Sequence, residues 1–257
     1  MAKYAFRDKE RTNPLFASDA TSADRNQLFY CPNPDCSAHM YICAMDGSRN
    51  AYFGATKRQF PHIPMCPYSS NNVDFDHNRF AEDEFHFDIA IENLITPERG
   101  AQGRQDNQEN HPEGEDRPHP PHTLNQIYAL CKSYDVHHMY ADIEISEMIL
   151  DNRSAYRYPH GCFGNRIIEA QAVKRFYDKT EMQVYLIAPI SSNGRIKQYN
   201  FILQCHNKKI FFNIRDMIFN NRNNIIVVAG NWKASGTYNH FITDFNSKKQ
   251  IYIVKHS

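Results

Sequence analysis

Residues 224–233 read NIIVVAGNWK, with four β-branched residues in succession followed by Ala-Gly-Asn, Trp232 and Lys233. A short β-branched run bounded by turn residues reads as a β-strand. The same texture recurs outward from it. Upstream stand RIIEAQAVKRFY (166–177), MQVYLIAPI (182–190), IKQYNFILQC (196–205) and KKIFFNI (208–214), and downstream stands QIYIVK (250–255). Turn signals separate these runs at DKTE, SSNGR, CHN and SGTYN. One short helix, from about Asp216 to Asn221, is predicted to interrupt them.

Several strands, one short helix and two further strands within about 90 residues follow the chain order of the OB-fold, a small, partly open Greek-key barrel. The segment 166–257 resembles OB-fold nucleic-acid-binding domains, with IIVVAGNWK and QIYIVK in the place of the last two strands. Other small β-barrels share this order. The resemblance implies ligand binding across strands two and three and through the loops joining strands one to two and four to five.

The residues suit such a surface. Period-2 alternation in KKIFFNIR sends Ile210, Phe212 and Ile214 to one face and Lys209, Phe211, Asn213 and Arg215 to the other. In IKQYNFILQC it buries Tyr199, Phe201, Leu203 and Cys205 and leaves Gln198, Asn200 and Gln204 outside. Trp232 and Lys233 lead into a loop carrying Tyr238. Cations for phosphates and rings for bases are what single-stranded nucleic acid requires. The expected nucleic-acid-binding set is therefore Gln198, Asn200, Lys209, Phe211, Arg215, Trp232, Lys233 and Tyr238. Trp232 equally suits a packing position in the barrel core or rim, and Phe211 a cover over the adjoining helix.

Charge supports a polyanionic partner. The chain carries 29 Lys plus Arg and 29 Asp plus Glu, but the balance is uneven. Residues 1–164 hold 15 basic and 24 acidic residues, a net of −9, whereas residues 165–257 hold 14 and 5, a net of +9. A basic last third points to nucleic acid or an anionic membrane surface, the alternative being a solvated basic face without a partner.

Nearer the N-terminus, FYCPNPDCSAHMYICAMDGSRNAYFGATKRQFPHIPMCPY (29–68) holds Cys31 and Cys36 as C-x4-C and His62 and Cys66 as H-x3-C. Two close pairs carried by a hairpin of HMYICAM and AYFGA supply the four ligands of a tetrahedral zinc ion. Cys43 is a reserve ligand, although its place in an apolar strand suits a buried thiol. The arrangement resembles the zinc-finger-like N-terminal region of competence-protein CoiA-type and related bacterial proteins. Four protein ligands with no open position imply a structural ion.

The acidic stretch 73–95, VDFDHNRFAEDEFHFDIAIENLI, carries Asp74, Asp76, Glu82, Asp83, Glu84 and Asp88 with His77 and His86. It reads as a solvated acidic helix face or, alternatively, as a divalent-metal nuclease centre, although no Asp…Glu-x-Lys set accompanies it. It could also compete with nucleic acid for the basic barrel. His137 with His138, and His160 with Cys162, form a weaker second metal candidate. Residues 98–122 contain no large apolar residue and read as a flexible linker. After it Thr123 can cap a helix with Leu124, Ile127, Tyr128, Cys131 and Tyr134 at i, i+3, i+4 spacing, and a second helical stretch spans about Ile143–Leu150.

The expected architecture is multidomain and mainly β with some α. It comprises an N-terminal extension (1–24), a small zinc-binding β-hairpin module with an acidic tail (25–98), a linker (99–122), a helical segment (123–164) and an OB-like five-stranded barrel (165–257). No apolar run approaches a membrane span. The N-terminus lacks a signal-peptide pattern and the seven cysteines are odd in number, which suggests a reducing cytoplasm. The expected function is single-stranded DNA or RNA binding with a structural zinc ion, in a non-enzymatic bacterial or mobile-element protein. A metal-dependent nuclease or its accessory subunit, and a scaffold for a protein partner, are the alternatives.

Overall fold

The computed structural model of the chain describes residues 2–46, 51–55, 59–69, 75, 79–97, 118–191, 194 and 196–254. Its first five strands are β1 (Tyr4–Phe6), β2 (Pro14–Phe16), β3 (Phe29–Tyr30), β4 (His39–Cys43) and β5 (Tyr52–Gly54). They form one sheet in the order β2-β1-β3-β4-β5. The β4–β5 hairpin is the one expected from HMYICAM and AYFGA, with Ile42 opposite Phe53. Ala2 and Phe53 exchange backbone hydrogen bonds of 3.0 and 2.8 Å, so β5 returns to the chain just ahead of β1. Residues 1–24, read from the sequence as an extension, therefore supply two strands to this module. Its interior is built from Ala5, Phe29, Met40, Phe53 and the cysteines Cys31, Cys36 and Cys66.

Two helices follow, α1 (Phe87–Ile95) and α2 (Leu124–Ser133). Most of the predicted linker, residues 98–117, lies outside the described residues. Thr123 caps α2 as expected, since its Oγ1 accepts from Gln126 N at 3.3 Å while Gln126 Oε1 accepts from Thr123 N at 3.1 Å. Leu124, Ile127, Tyr128 and Cys131 are all buried. The predicted helix over 143–150 shrinks to the single turn α3 (Ile145–Met148). The short strands β6 (Met139–Tyr140) and β7 (Ile143–Glu144) precede it and β8 (Ile149–Leu150) follows. Strand pairing wins there, because Ile149 and Leu150 align in parallel with Ile167 and Ile168 of the next strand.

The barrel comprises β9 (Gly164–Asp178), β10 (Gln183–Ala188), β11 (Tyr199–Cys205), the helix α4 (Lys208–Asn220), β12 (Ile225–Ala234) and β13 (His240–Phe245), with β14 (Ile251–Val254) added outside. Strands pair in the closed ring β9-β10-β11-β13-β12-β9, antiparallel except for β11 with β13. This order, with a helix between the third and fourth strands, is the OB arrangement. The 15-residue β9 closes the ring. Its first half pairs with β12, as Ile168 with Val228, and its second half with β10, as Ala172 with Leu186, with a register irregularity between Ala172 and Tyr177. Such bulges bend a strand so that it can serve two edges of a barrel.

Two strand assignments need correction. KKIFFNI is the first half of α4, and the helix starts eight residues earlier than Asp216. Asn207 Oδ1 caps it by accepting from Lys209 N and Ile210 N. Over the longer window Phe211, Ile214 and Ile218 recur at helical spacing and plug the barrel end, which overrides the period-2 reading of seven residues. The fifth barrel strand is β13, HFITDF. Of QIYIVK, Ile251–Val254 forms β14, which pairs with the free side of β12, as Ile253 with Ile226, while Lys255 lies outside the described residues.

The run IIVVAG (225–230) within NIIVVAGNWK is apolar because both of its faces are covered. Ile226, Val228 and Trp232 point into the barrel, while Ile225, Val227 and Ala229 point outward beneath α1 and α2. Gly230 provides the room for Trp232, since a Cβ there would lie 2.9 Å from Thr243 and 3.0 Å from the indole. The helical wrapping is apolar, from Phe87, Ile91, Leu94, Leu124 and Ile127. Part of the acidic stretch thus turns its apolar side onto the barrel wall, and Asp88 accepts from Asn165 Nδ2 at 3.0 Å.

A buried charge cluster ties these layers together. Lys132 Nζ lies 2.6 Å from both Asp151 and Glu169, and the Arg153 guanidinium lies 2.8 Å from Asp151. Tyr128 donates to Glu169 at 2.7 Å, and Arg153 donates to the Tyr4 hydroxyl of the N-terminal module at 2.8 Å. Two cations balance two carboxylates, the condition under which buried charges are tolerated. Among the described residues no helix is long and apolar enough to cross a membrane.

Candidate functional site

Cys31 follows β3, Cys36 closes the turn after it, and His62 and Cys66 lie beyond the β4–β5 hairpin. Folding of the N-terminal sheet brings the four together, with all their ligand atoms within 4.8 Å of one another. Cys31 Sγ to Cys66 Sγ is 3.7 Å, and His62 Nδ1 lies 3.5 Å from Cys36 Sγ and 3.4 Å from Cys66 Sγ. A tetrahedral zinc ion, with bonds of about 2.3 Å to sulfur and about 2.0 Å to nitrogen, sets its sulfurs about 3.8 Å apart and sulfur to nitrogen about 3.5 Å. The donor set therefore fits a divalent metal of zinc's size and softness. Among the described residues it is the one such group of His, Cys, Asp and Glu side chains.

Electrostatics agree with that fit. Burial pushes the Cys31 thiol well up and that of Cys66 up to about 12, while hydrogen bonds from these two neighbours pull Cys36 far down. A divalent cation bound by these thiols would displace their protons. All seven cysteines are free of disulfides. Cys43 lies outside the cage, with its sulfur 3.5 Å from Tyr41 O.

Sequence reasoning missed the residue that supports the knuckle. Arg11 reaches over from the β1–β2 connection, and its guanidinium donates to Cys31 O at 2.9 Å, Asn33 O at 3.1 Å and Cys36 O at 2.8 Å. It sits 20 residues before the first ligand, at a φ of 59°, and nothing in the local pattern announces it. On the other side Asn33 Oδ1 accepts from Asp35 N and from Asn152 Nδ2 of the segment after β8. A cleft of about 850 Å³ opens between this knuckle and the barrel, lined by Tyr4, Arg11, Pro32, His137, Arg153 and Lys197 among others.

The expected nucleic-acid residues divide into three groups. Gln198, Asn200, Lys233 and Tyr238 gather at one end of the barrel, where Asn200 faces His240 and Lys233 faces Ile242 across strands. Tyr238 is 83% exposed in the β12–β13 loop, and the Lys197 ammonium, not anticipated from sequence, lies 5.7 Å from its ring. Lys209 and Arg215 are on α4, beyond the far end of β11. Phe211 and Trp232, each 1% exposed, belong to the core. Trp232 Nε1 donates to Arg166 O at 3.1 Å and its ring meets Phe201 edge-on at 4.7 Å, so the packing position is the one it occupies.

The parity reading of β11 holds, with Tyr199, Phe201, Leu203 and Cys205 buried. Its outer face carries Asn200 and Gln204, but also Ile202, which is 8% exposed and lies between Tyr185 and Ile242. In the acidic stretch Asp74, Asp76 and His77 lie outside the described residues. Glu82 accepts from Ala141 N. His137 lies 3.0 Å from Glu144, and Cys162 is buried. Neither of the weaker histidine pairs converges on a further metal cage among the described residues.

No family model matches the chain, and no curated protein or solved structure does either.

Proposed function

We propose that this chain binds single-stranded nucleic acid, DNA or RNA, and that a structural zinc ion in the cage of Cys31, Cys36, His62 and Cys66 fastens its N-terminal module. The observation that carries the reading is the exposed Tyr238 beside Lys197 on the loop between the fourth and fifth strands of an OB-ordered barrel. OB barrels offer that loop and the outer face of strands two and three to their ligands.

Lys197 and Lys233 neutralise phosphates and release counterions, and a base stacks on Tyr238. Gln198 donates to Pro189 O and Asn200 lies 3.2 Å from His240 Nε2. Their carbonyl oxygens face base amino groups, which gives weak sequence preference. When bound, zinc cross-links the two ligand pairs and leaves no open position for a substrate. The partly apolar strip of Tyr185, Ile202 and Ile242 also suits a protein partner, which makes the alternative scaffold role a defined outcome.

Anisotropy titration with labelled single-stranded DNA and RNA, with and without magnesium and at two salt concentrations, tests the reading. Salt-sensitive binding of intact strands, weakened by Tyr238→Ala and Lys233→Ala, supports it. Absence of binding at low salt overturns it in favour of protein docking. Strand cleavage with magnesium or manganese overturns it in favour of a nuclease.

A further inference from the structure

We infer that the nucleic-acid path continues onto a second surface of the same barrel, the outward stripe of α4 beside Tyr177 of β9, where guanidinium groups held over aromatic rings receive phosphates. The inference rests on the proposed nucleic-acid reading and adds a surface away from the strand face and loops that OB order assigns.

The inward stripe of α4 is Phe211, Ile214 and Ile218. Next to it a second stripe, Lys208, Phe212, Arg215 and Phe219, alternates cation and ring at spacings of four, three and four, and Arg222 follows the helix end. It runs about 16 Å along the axis, enough for several successive phosphates. Phe219 is 60% exposed and Tyr177 43%. The Arg215 guanidinium carbon lies 4.8 Å from the Phe212 ring and 5.9 Å from Tyr177, and that of Arg222 lies 4.9 Å from Phe219 and 4.7 Å from Phe176.

A guanidinium held over a ring can still offer N–H groups to phosphate oxygens, and an exposed ring beside it is a platform for a base. Arg222 has no hydrogen bond or ion pair among the described residues. Arg215 gives two N–H groups to Asp216 at 2.8 and 2.6 Å. Asp178, next to Tyr177 in the chain, accepts from the backbone N–H groups of Thr180 and Glu181.

The start of α4 is the second observation. Lys208 and Lys209 stand in its first turn, and no acidic residue accompanies them there. The helix dipole disfavours cations at that end, so this placement works against the helix and in favour of an approaching anion. An acidic peptide would satisfy the charges and leave Phe219 and Tyr177 without stacking partners. Single-stranded nucleic acid uses both.

The experiment uses the full chain loaded with zinc and a labelled oligonucleotide of about 16 nucleotides, the upper site size of one OB barrel. The double variant Arg215→Gln, Arg222→Gln is expected to bind about tenfold or more weakly at low salt, with a salt slope shallower by about 1.4. A second variant, Phe219→Trp, places an exposed indole on the stripe, and its emission is expected to be quenched as oligonucleotide is added. Unchanged affinity of the double variant, with binding still weakened in Tyr238→Ala, overturns this surface and leaves the barrel-end reading standing. An unquenched Phe219→Trp signal at saturation overturns it as well. Wild-type protein that ignores oligonucleotides overturns both readings, and capture of polyglutamate or anionic vesicles in their place identifies a different polyanion and does the same.

Discussion

The guanidinium of Arg11 donates to the carbonyl oxygen of Cys36 at 2.8 Å, and it also holds the carbonyl of the partner ligand Cys31. These bonds fix the peptide orientation that points both sulfurs into the cage. Arg11→Ala is expected to weaken zinc binding about tenfold or more, the usual effect of removing a group that orients metal ligands. Competition with a chromogenic chelator measures it, and wild-type affinity in the variant would refute the role.

Ligand assignment is tested by metal content. Cys31→Ser and Cys66→Ser proteins are expected to lose bound zinc, whereas Cys43→Ser retains it because that sulfur lies outside the cage. Mass spectrometry under native conditions decides between the sets. A chelator is also expected to lower the melting temperature of wild-type protein, since metal binding by so small a module is coupled to its folding.

The buried charge cluster makes stability depend on pH. Burial alone would raise the Asp151 carboxyl, but the Arg153 and Lys132 charges outweigh it and hold it below the ordinary carboxylate range. A carboxyl lowered in the folded state stabilises above its unfolded value of about 3.9, and that contribution is lost as pH falls through the folded value. Asp151→Asn leaves Lys132 and Arg153 with less compensation and is expected to cost about 3–5 kcal/mol at neutral pH. Denaturant melts from pH 6 to pH 2 should show the difference between the two proteins shrinking as acid is added. A constant difference would count against this account.

Much of this fold can be read from period and capping. The alternation in IKQYNFILQC, the capping box at Thr123 and the two ligand pairs each declare themselves within a dozen residues. KKIFFNI misleads because seven residues with adjacent aromatics satisfy a two-residue period, and only Ile214 and Ile218 beyond them reveal the helical one. HFITDF was hidden in an apparent loop because its partner for parallel pairing, β11, lies 35 residues earlier. Arg11, Lys132 and Arg153 could not be found from sequence, since each owes its role to groups brought near by folding.

Trp232 should serve as a reporter of the core. At 1% exposure its emission is expected at short wavelength and unchanged by saturating oligonucleotide. Trp232→Ala should cost about 3–5 kcal/mol, as large aromatic truncations in cores do. Quenching of native Trp232 by nucleic acid would contradict the packing described.

Gly161 sits at φ 110°, and a Cβ there would lie 1.9 Å from the Phe241 ring. Gly161→Ala is expected to destabilise by about 2 kcal/mol or more, from both backbone conformation and overpacking. Chemical denaturation checks this. In the double variant with Phe241→Leu, part of the loss should return.

The outward side chains of β12 have a consequence for how the chain can be divided. Ile225, Val227 and Ala229 are sealed by α1 and α2, so the N-terminal half forms the weatherproofing of the C-terminal barrel. A polypeptide started at residue 165 would present a bare greasy wall to water and clump, whatever its sequence signature promises. Conversely, a single protease nick between 98 and 117 should leave two fragments that stay clasped together through gel filtration.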